Sequence, residues 1–163
     1  MSFIQKLGMP KLIGLVVLLV AIIVLVVTLA GSDRATQLVL ELPQTTLTIE
    51  TPDNGSVELE VREADSAEAR DTGFSGVDPE VIAETILFIE IPFSASAPYQ
   101  VDDLQSSIDI AFFDEAGQFM SIQAASPDQT AGFRPDGRYK YILLAREGLF
   151  AERGITEGSR LIP

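Results

Sequence analysis

The chain has no histidine, no cysteine and no tryptophan among its 163 residues. Without cysteine there are no disulfide staples, no thiol nucleophile and no zinc–thiolate site. Without histidine neither the Ser-His-Asp nor the Cys-His arrangement can be built. There is no GxxxxGK[ST] phosphate loop and no internal repeat. Basic residues are scarce as well: 11 Lys and Arg stand against 24 Asp and Glu, for a formal net charge of −13. All of the acids, and all of the bases except Lys6 and Lys11, lie beyond residue 31. That region lacks the basic face needed to concentrate phosphate, which argues against nucleic acid as a partner. Anionic headgroups also repel it, within a Debye length of about 8 Å. The ordinary use of such charge is solubility and colloidal stability.

What the chain does have is one long apolar run. Leu12 to Ala30 is nineteen residues without a charge. As a helix it would be about 28 Å long at ~1.5 Å per residue, against a bilayer core of about 30 Å. A cleaved signal peptide has a shorter apolar region, ~7–15 residues, ending in a small-x-small site, and Thr28-Leu29-Ala30 is a poor version of that site. A helix buried in a soluble domain normally keeps one polar face. The run therefore reads as an uncleaved anchor. Lys6 and Lys11 precede it, and Arg34, beside Asp33, follows it. The positive-inside rule then puts the N-terminus in the cytoplasm and the rest outside. The expected layout is a cytoplasmic tail over 1–11, a transmembrane signal anchor over 12–30, an exit linker and first strand over 31–45, and a β-rich extracytoplasmic domain over 46–163. The location is thus the cell membrane, single-pass.

Beyond the anchor, about 130 residues suit one domain with its own core. Gln37 to Leu42 alternates in part and is read as a strand ended by Pro43. Leu47 and Ile49, then Val57, Leu59 and Val61, alternate with polar residues as half-buried strands do. Pro52-Asp53-Asn54-Gly55 between them is a turn, giving a hairpin over 46–51 and 56–62. Asp65 is placed to cap a short helix, with Glu68 at capping-box spacing and Gly73 as its stop. Asp78-Pro79 opens a second helix running to Glu84. Ile86–Ile91 is a buried strand, and 92–100 is a loop. Ile108–Phe113 and Phe119–Ile122 flank the turn 114–117. Residues 125–138 are another loop, Tyr139–Ala145 a strand, Glu147–Arg153 a short helix and Arg160–Ile162 a last strand. The fold class is mostly β (α+β): a compact β-barrel-like domain with two or three short helices, preceded by one transmembrane helix.

The order of these pieces resembles the bacterial and archaeal domain of unknown function 192. The residues that carry the resemblance begin with the strand around Val57–Ala64 and with Arg70-x-x-Gly73. They continue through Ile86-Leu87-Phe88-Ile89 and the Ile108-Asp109-Ile110-Ala111-Phe112 strand. Tyr141-Ile142-Leu143, Gly148, Gly154-Ile155 and Gly158 complete them, over about two-thirds of the chain. Members often sit behind a signal peptide or an anchor. The resemblance implies a small β-rich domain and no particular activity. The family's Trp-Met-Lys-Asn-Thr is Gln100-Val101-Asp102-Asp103-Leu104 here, its Gly-Met-Leu-Phe is Thr85-Ile86-Leu87-Phe88, and Leu144 stands where a Glu is usual. Scaffold residues persist while the polar cluster is largely replaced.

Five residues are candidates for ligand binding: Arg70, Asp109, Asp102, Asp103 and Tyr99. An Arg70–Asp109 pair would be charge-assisted; it is either an anion or carboxylate site or a clamp tying the short helix to the strand, and the clamp is favoured. Asp102, Asp103, Asp109 and Asp114 offer oxygen ligands for Ca²⁺, but their spacing matches no EF-hand loop and a solvated acidic loop is the simpler account. The loop around Phe93, Pro98 and Tyr99 either lines a groove or packs across one end of the barrel. No catalytic residue, metal site or cofactor is assigned. The expected role is non-catalytic binding of a ligand or protein by a membrane-anchored domain; a carboxylate-based hydrolase and a structural envelope-assembly protein are the alternatives.

Overall fold

A computed structural model describes residues 16–22 and 34–163. The expected span, residues 12–30, falls mostly outside them. Its described part, 16–22, is helical, and Val16 to Val20 and Ile22 are each 50–62% exposed. Among the described residues, no helix is long and apolar enough to cross a membrane.

The first correction to the sequence reading comes at residues 34–41, which form a helix, α1, and not a strand. Thr36, Val39 and Leu42 are the buried positions. A three-residue spacing is a helix face, and the local alternation of Leu38 and Leu40 concealed it. After it come β1 (Gln44–Glu50), β2 (Ser56–Glu63), α2 (Ala67–Thr72), α3 (Pro79–Glu84), β3 (Leu87–Ala95), β4 (Tyr99–Val101), β5 (Ile108–Phe113), β6 (Phe119–Ala125), β7 (Ala131–Phe133), β8 (Tyr139–Arg146), α4 (Leu149–Glu152) and β9 (Arg160–Ile162).

Local chemistry sets most of these boundaries. Asn54 takes a positive φ of 59° in the β1–β2 turn. There the Thr51 N–H donates to the Gly55 carbonyl at 3.0 Å. Ser66, not Asp65, caps α2: its hydroxyl accepts from the Ala69 N–H at 3.1 Å. Asp78 occupies the cap position of α3 but makes no side-chain cap bond, and Pro79 opens the helix as expected. Asp114 organises the β5–β6 turn by accepting from the Ala116 and Gln118 N–H groups, each at 2.8 Å. The two segments read as loops, 92–100 and 125–138, contain strand. β3 continues to Ala95, and β4 pairs with β7 in a separate two-stranded ribbon. Both strands are only three residues long, too short for periodicity to register.

Seven strands make one sheet in the order β6-β5-β8-β3-β2-β1-β9. Its edges then meet. The Leu161 N–H of β9 donates to the Gly117 carbonyl at 2.8 Å, and the Phe119 N–H of β6 donates to the Ser159 carbonyl at 3.0 Å. The sheet thus curls into the expected barrel-like form. Neighbours are antiparallel except β2 and β3, which run parallel through Arg62↔Leu87 and Glu63↔Phe88 alone.

Both faces of the central strands are buried. All six residues of β5 are buried, and so are six of the eight in β8. Alternation splits them between two cores. Ile108, Ile110, Phe112, Ile142 and Leu144 join Phe74, Val77 and Ile82 beneath the helices. Ala111, Phe113, Leu143 and Ala145 join Leu59, Val61, Phe150 and Leu161 inside the curl. This explains why β5 and β8 read as continuous apolar runs while β1 and β2 alternate.

Closure leaves no room for a side chain at residue 117. Gly117 has φ 76°, and a Cβ there would lie 2.1 Å from the Leu161 carbonyl oxygen. Gly117→Ala is expected to lower stability by about 3 kcal/mol, read as a fall in the urea unfolding midpoint. An unchanged midpoint would mean that the β6–β9 seam does not hold the barrel together.

Candidate functional site

The five candidate residues do not converge. Arg70 and Asp109 lie on opposite faces of the sheet and do not pair, because alternation along β5 sends Asp109 to the side of Ala111 and Phe113 while α2 packs over the side of Ile108 and Ile110. Each is held by backbone. Arg70 Nη1 donates to the Asp65 carbonyl at 3.1 Å and to the Ala64 carbonyl at 3.4 Å, closing the turn that leads into its own helix. Asp109, 6% exposed, accepts from the Gly148 N–H at 2.8 Å. That bond ties the β8–α4 turn to β5, and Gly148 supplies the φ of 84° that the turn requires.

Tyr99, Asp102 and Asp103 gather instead around the loop after α2. The Tyr99 hydroxyl donates to the Arg70 carbonyl at 3.4 Å and lies directly over Gly73, where a Cβ would fall 2.3 Å from its oxygen. The Arg-x-x-Gly pattern is therefore a packing unit: the arginine fastens one end of the short helix, and the glycine admits the phenol at the other. Burial pushes the Tyr99 phenol well above its ordinary range, helped by Tyr139 and Asp71. The Ser75 hydroxyl donates to Asp102 Oδ1 at 2.9 Å. Gln105 Nε2 donates to Asp103 Oδ1 at 3.1 Å, and the Gly76 N–H donates to the Asp103 carbonyl at 2.9 Å. Asp102 and Asp103 thus pin the 73–76 loop against the β4–β5 connection, while Asp109 and Asp114 serve separate turns. Among the described residues no three acids come close enough to share an ion. Phe93 is 85% exposed and stands apart from Tyr99, which packs against the core beneath the helices.

One concavity has no counterpart among the sequence expectations. It lies along β2 where β3 no longer pairs with it, and comprises two adjoining cavities of about 450 and 580 Å³ that share Glu60, Glu84, Thr85 and Ile86. Volumes of 300–1,000 Å³ are typical of ligand pockets. Leu59 and Val61 of β2 contribute buried side chains to its lining. The side chains of Glu58 and Glu60 lie on the exposed side of this alternating strand. Nothing local reveals that the backbone on one side of that strand lacks a neighbour.

These features define a small barrel-like β domain whose candidate polar residues are engaged in fixing loops. The chain belongs to the DUF192 family, described as an uncharacterized ACR, whose model matches residues 47–162. It is similar in structure to a putative transcription regulator from Sinorhizobium meliloti 1021, with a TM-score of 0.65 and 17% identity over 74% of this chain and 94% of that one. It is also similar to a protein of unknown function from Novosphingobium aromaticivorans DSM 12444, with a TM-score of 0.64 and 19% identity over 75% of this chain and 86% of that one. At these identities the likeness concerns the fold. No curated protein matches the chain.

Burial raises the Asp109 carboxyl above its ordinary value of 3.8 and Glu147 adds to this, while the Gly148 N–H opposes it. The folded state therefore holds this proton more tightly than the unfolded chain. The group's contribution to stability is fully present below pH 3.8 and is lost as pH rises through the folded value. Asp109→Asn keeps an acceptor for Gly148 and removes the charge, so its stability should lack this part of the pH dependence. Asp109→Ala leaves the Gly148 N–H unpaired and should cost about 1–3 kcal/mol. Chemical unfolding of the three proteins from pH 3 to 7 checks both. Identical pH profiles for Asp109→Asn and the native chain would contradict this account.

Proposed function

We propose that the protein is a membrane-anchored binding domain, held outside the cytoplasmic membrane by residues 12–30, that works without catalysis. The observation that carries the binding reading is the opening along β2: a polar-walled groove on a domain whose candidate polar residues are occupied with its own loops. The Asp109 carboxylate is bound to the β8–α4 turn, that of Asp102 to Ser75 in the 73–76 loop and that of Asp103 to Gln105, so these carboxylates are poorly placed to act as a hydrolytic pair. The anchor reading rests on the nineteen-residue apolar run and on the helical, exposed state of residues 16–22. An all-round apolar helix is the form a lipid environment selects. The transcription-regulator name attached to one structural neighbour transfers poorly to a chain carrying −13, since such a surface repels phosphate.

The full-length protein should remain in the membrane pellet through an alkaline carbonate wash, and protease added outside intact cells should remove the domain. Deleting residues 1–33 should release it to the soluble fraction. A domain digested only after the cells are lysed would reverse the proposed orientation. Crosslinking in native membranes should then join the domain to a partner that an anchor-only control does not capture.

A further inference from the structure

We propose that the unpaired edge of β2 receives an extended, positively charged peptide segment by strand addition. The proposal rests on the binding-domain reading above and names the kind of partner and the mode of contact. β2 is paired with β1 along seven residues, from Ser56 to Arg62. On its other side only Arg62 and Glu63 meet β3.

Hydrogen bonds at both ends of the strand fix which groups are left over. The Glu63 N–H donates to the Pro43 carbonyl at 2.9 Å, and the Thr51 N–H donates to the Gly55 carbonyl at 3.0 Å, so the odd-numbered residues of this stretch face β1. The Arg62 N–H donates to the Ile86 carbonyl at 2.8 Å on the opposite side. Strict alternation in an antiparallel ladder then turns the N–H and C=O groups of Ser56, Glu58 and Glu60 toward the groove. β2 is thus complete, its neighbour is missing opposite Ser56, Glu58 and Glu60, and α3 stands across the gap with the cavities between them. An added strand of four or five residues, about 13–17 Å long, matches that row.

Charge selects the occupant. Glu58 and Glu60 project outward from β2, and Glu80 and Glu84 face them from α3; all four are exposed. Two of the arginines at the rim are already engaged: Arg62 with the Leu40 and Leu42 carbonyls at 2.6 and 3.1 Å, and Arg146 with Glu152 at 3.1 Å. Arg153 lies at the far end, beyond Leu149. A second copy of the domain would bring the same negative edge to this one, and such outward charges discourage self-pairing of open strands. A strand alternating Lys or Arg with apolar residues satisfies all three requirements. Its amides complete the ladder, its cations meet the glutamates, and its apolar side chains reach the half-buried Ile86.

The experiment uses the full chain in nanodiscs of neutral lipid and a capped Lys-Val-Lys-Val-Lys-Val-Lys peptide as the probe. Amide hydrogen exchange is followed residue by residue, and affinity is read by fluorescence anisotropy. Added peptide should slow exchange at Glu58 and Glu60 at least about tenfold. Glu58→Lys combined with Glu60→Lys should weaken binding by at least about tenfold, whereas Glu115→Lys, on the distant β5–β6 turn, should leave it unchanged. Methylating every internal amide of the peptide should abolish the protection. Binding without protection at Glu58 and Glu60, equal binding of the methylated peptide, or no binding to the native chain would each overturn the proposal. So would slowed exchange at these residues that depends on protein concentration without peptide, since that would make the occupant a second copy. A partner crosslinked elsewhere on the domain, with β2 unprotected, would sink the edge proposal and leave the binding-domain reading standing.

Discussion

β2 and β3 run parallel, whereas every other neighbouring pair in the barrel is antiparallel. A parallel pair cannot be joined by a tight turn. The chain must leave one end of the sheet, cross over and re-enter beside its starting point. Here the crossover is residues 64–86, and it carries α2 and α3. Because α3 occupies the return path, β3 begins only at the height of Arg62, and the rest of β2 is left without a neighbour. The same crossover positions Arg70, Gly73 and Ser75 over one face of the sheet. The groove, the packed loop around Tyr99 and the separation of Arg70 from Asp109 all follow from this one connection.

Two-sided burial of the central strands sets the terms for polar groups. A carboxylate at the end of β5 must face one core or the other, and Asp109 is tolerated because a backbone N–H meets it at 2.8 Å. Burial still raises its proton affinity, so the residue is a fastener that costs some stability when ionised. Asp102 and Asp103 lie outside the sheet and do comparable work for a loop. In this chain, polar positions that could have formed a binding cluster are distributed among turns, one attachment at each.

Much of the architecture was legible in the sequence. The β1–β2 and β5–β6 hairpins, the short helices and the last strand rest on period-two alternation, on turn residues such as Asn54 and Gly117, and on Pro79. The errors have physical causes. α1 resembles a strand because Leu38, Leu40 and Leu42 fall on alternate positions, although its buried face is Thr36 and Val39. β4 and β7 depend on each other and carry no signal alone. Arg70 and Asp109 were linked by charge, and only the strand's parity, combined with knowing which core lies beneath α2, separates them. The groove was invisible because it consists of a missing neighbour, and a sequence records which residues are present beside one another along the chain, not which strand edge is left empty.

The order of synthesis gives the β1–β9 seam a further meaning. Ile49 in the first strand pairs with Leu161 in the last, so the outer edge of β1 is without its partner until every other strand has emerged. That edge stays open for as long as the rest of the chain is being made. Gln44, Thr46, Thr48 and Glu50, on alternate positions, keep one face of it polar during the wait. Long-range pairing of this kind is slow to form. The seam joins the two ends of the domain, so barrel closure waits for the last strand to be made.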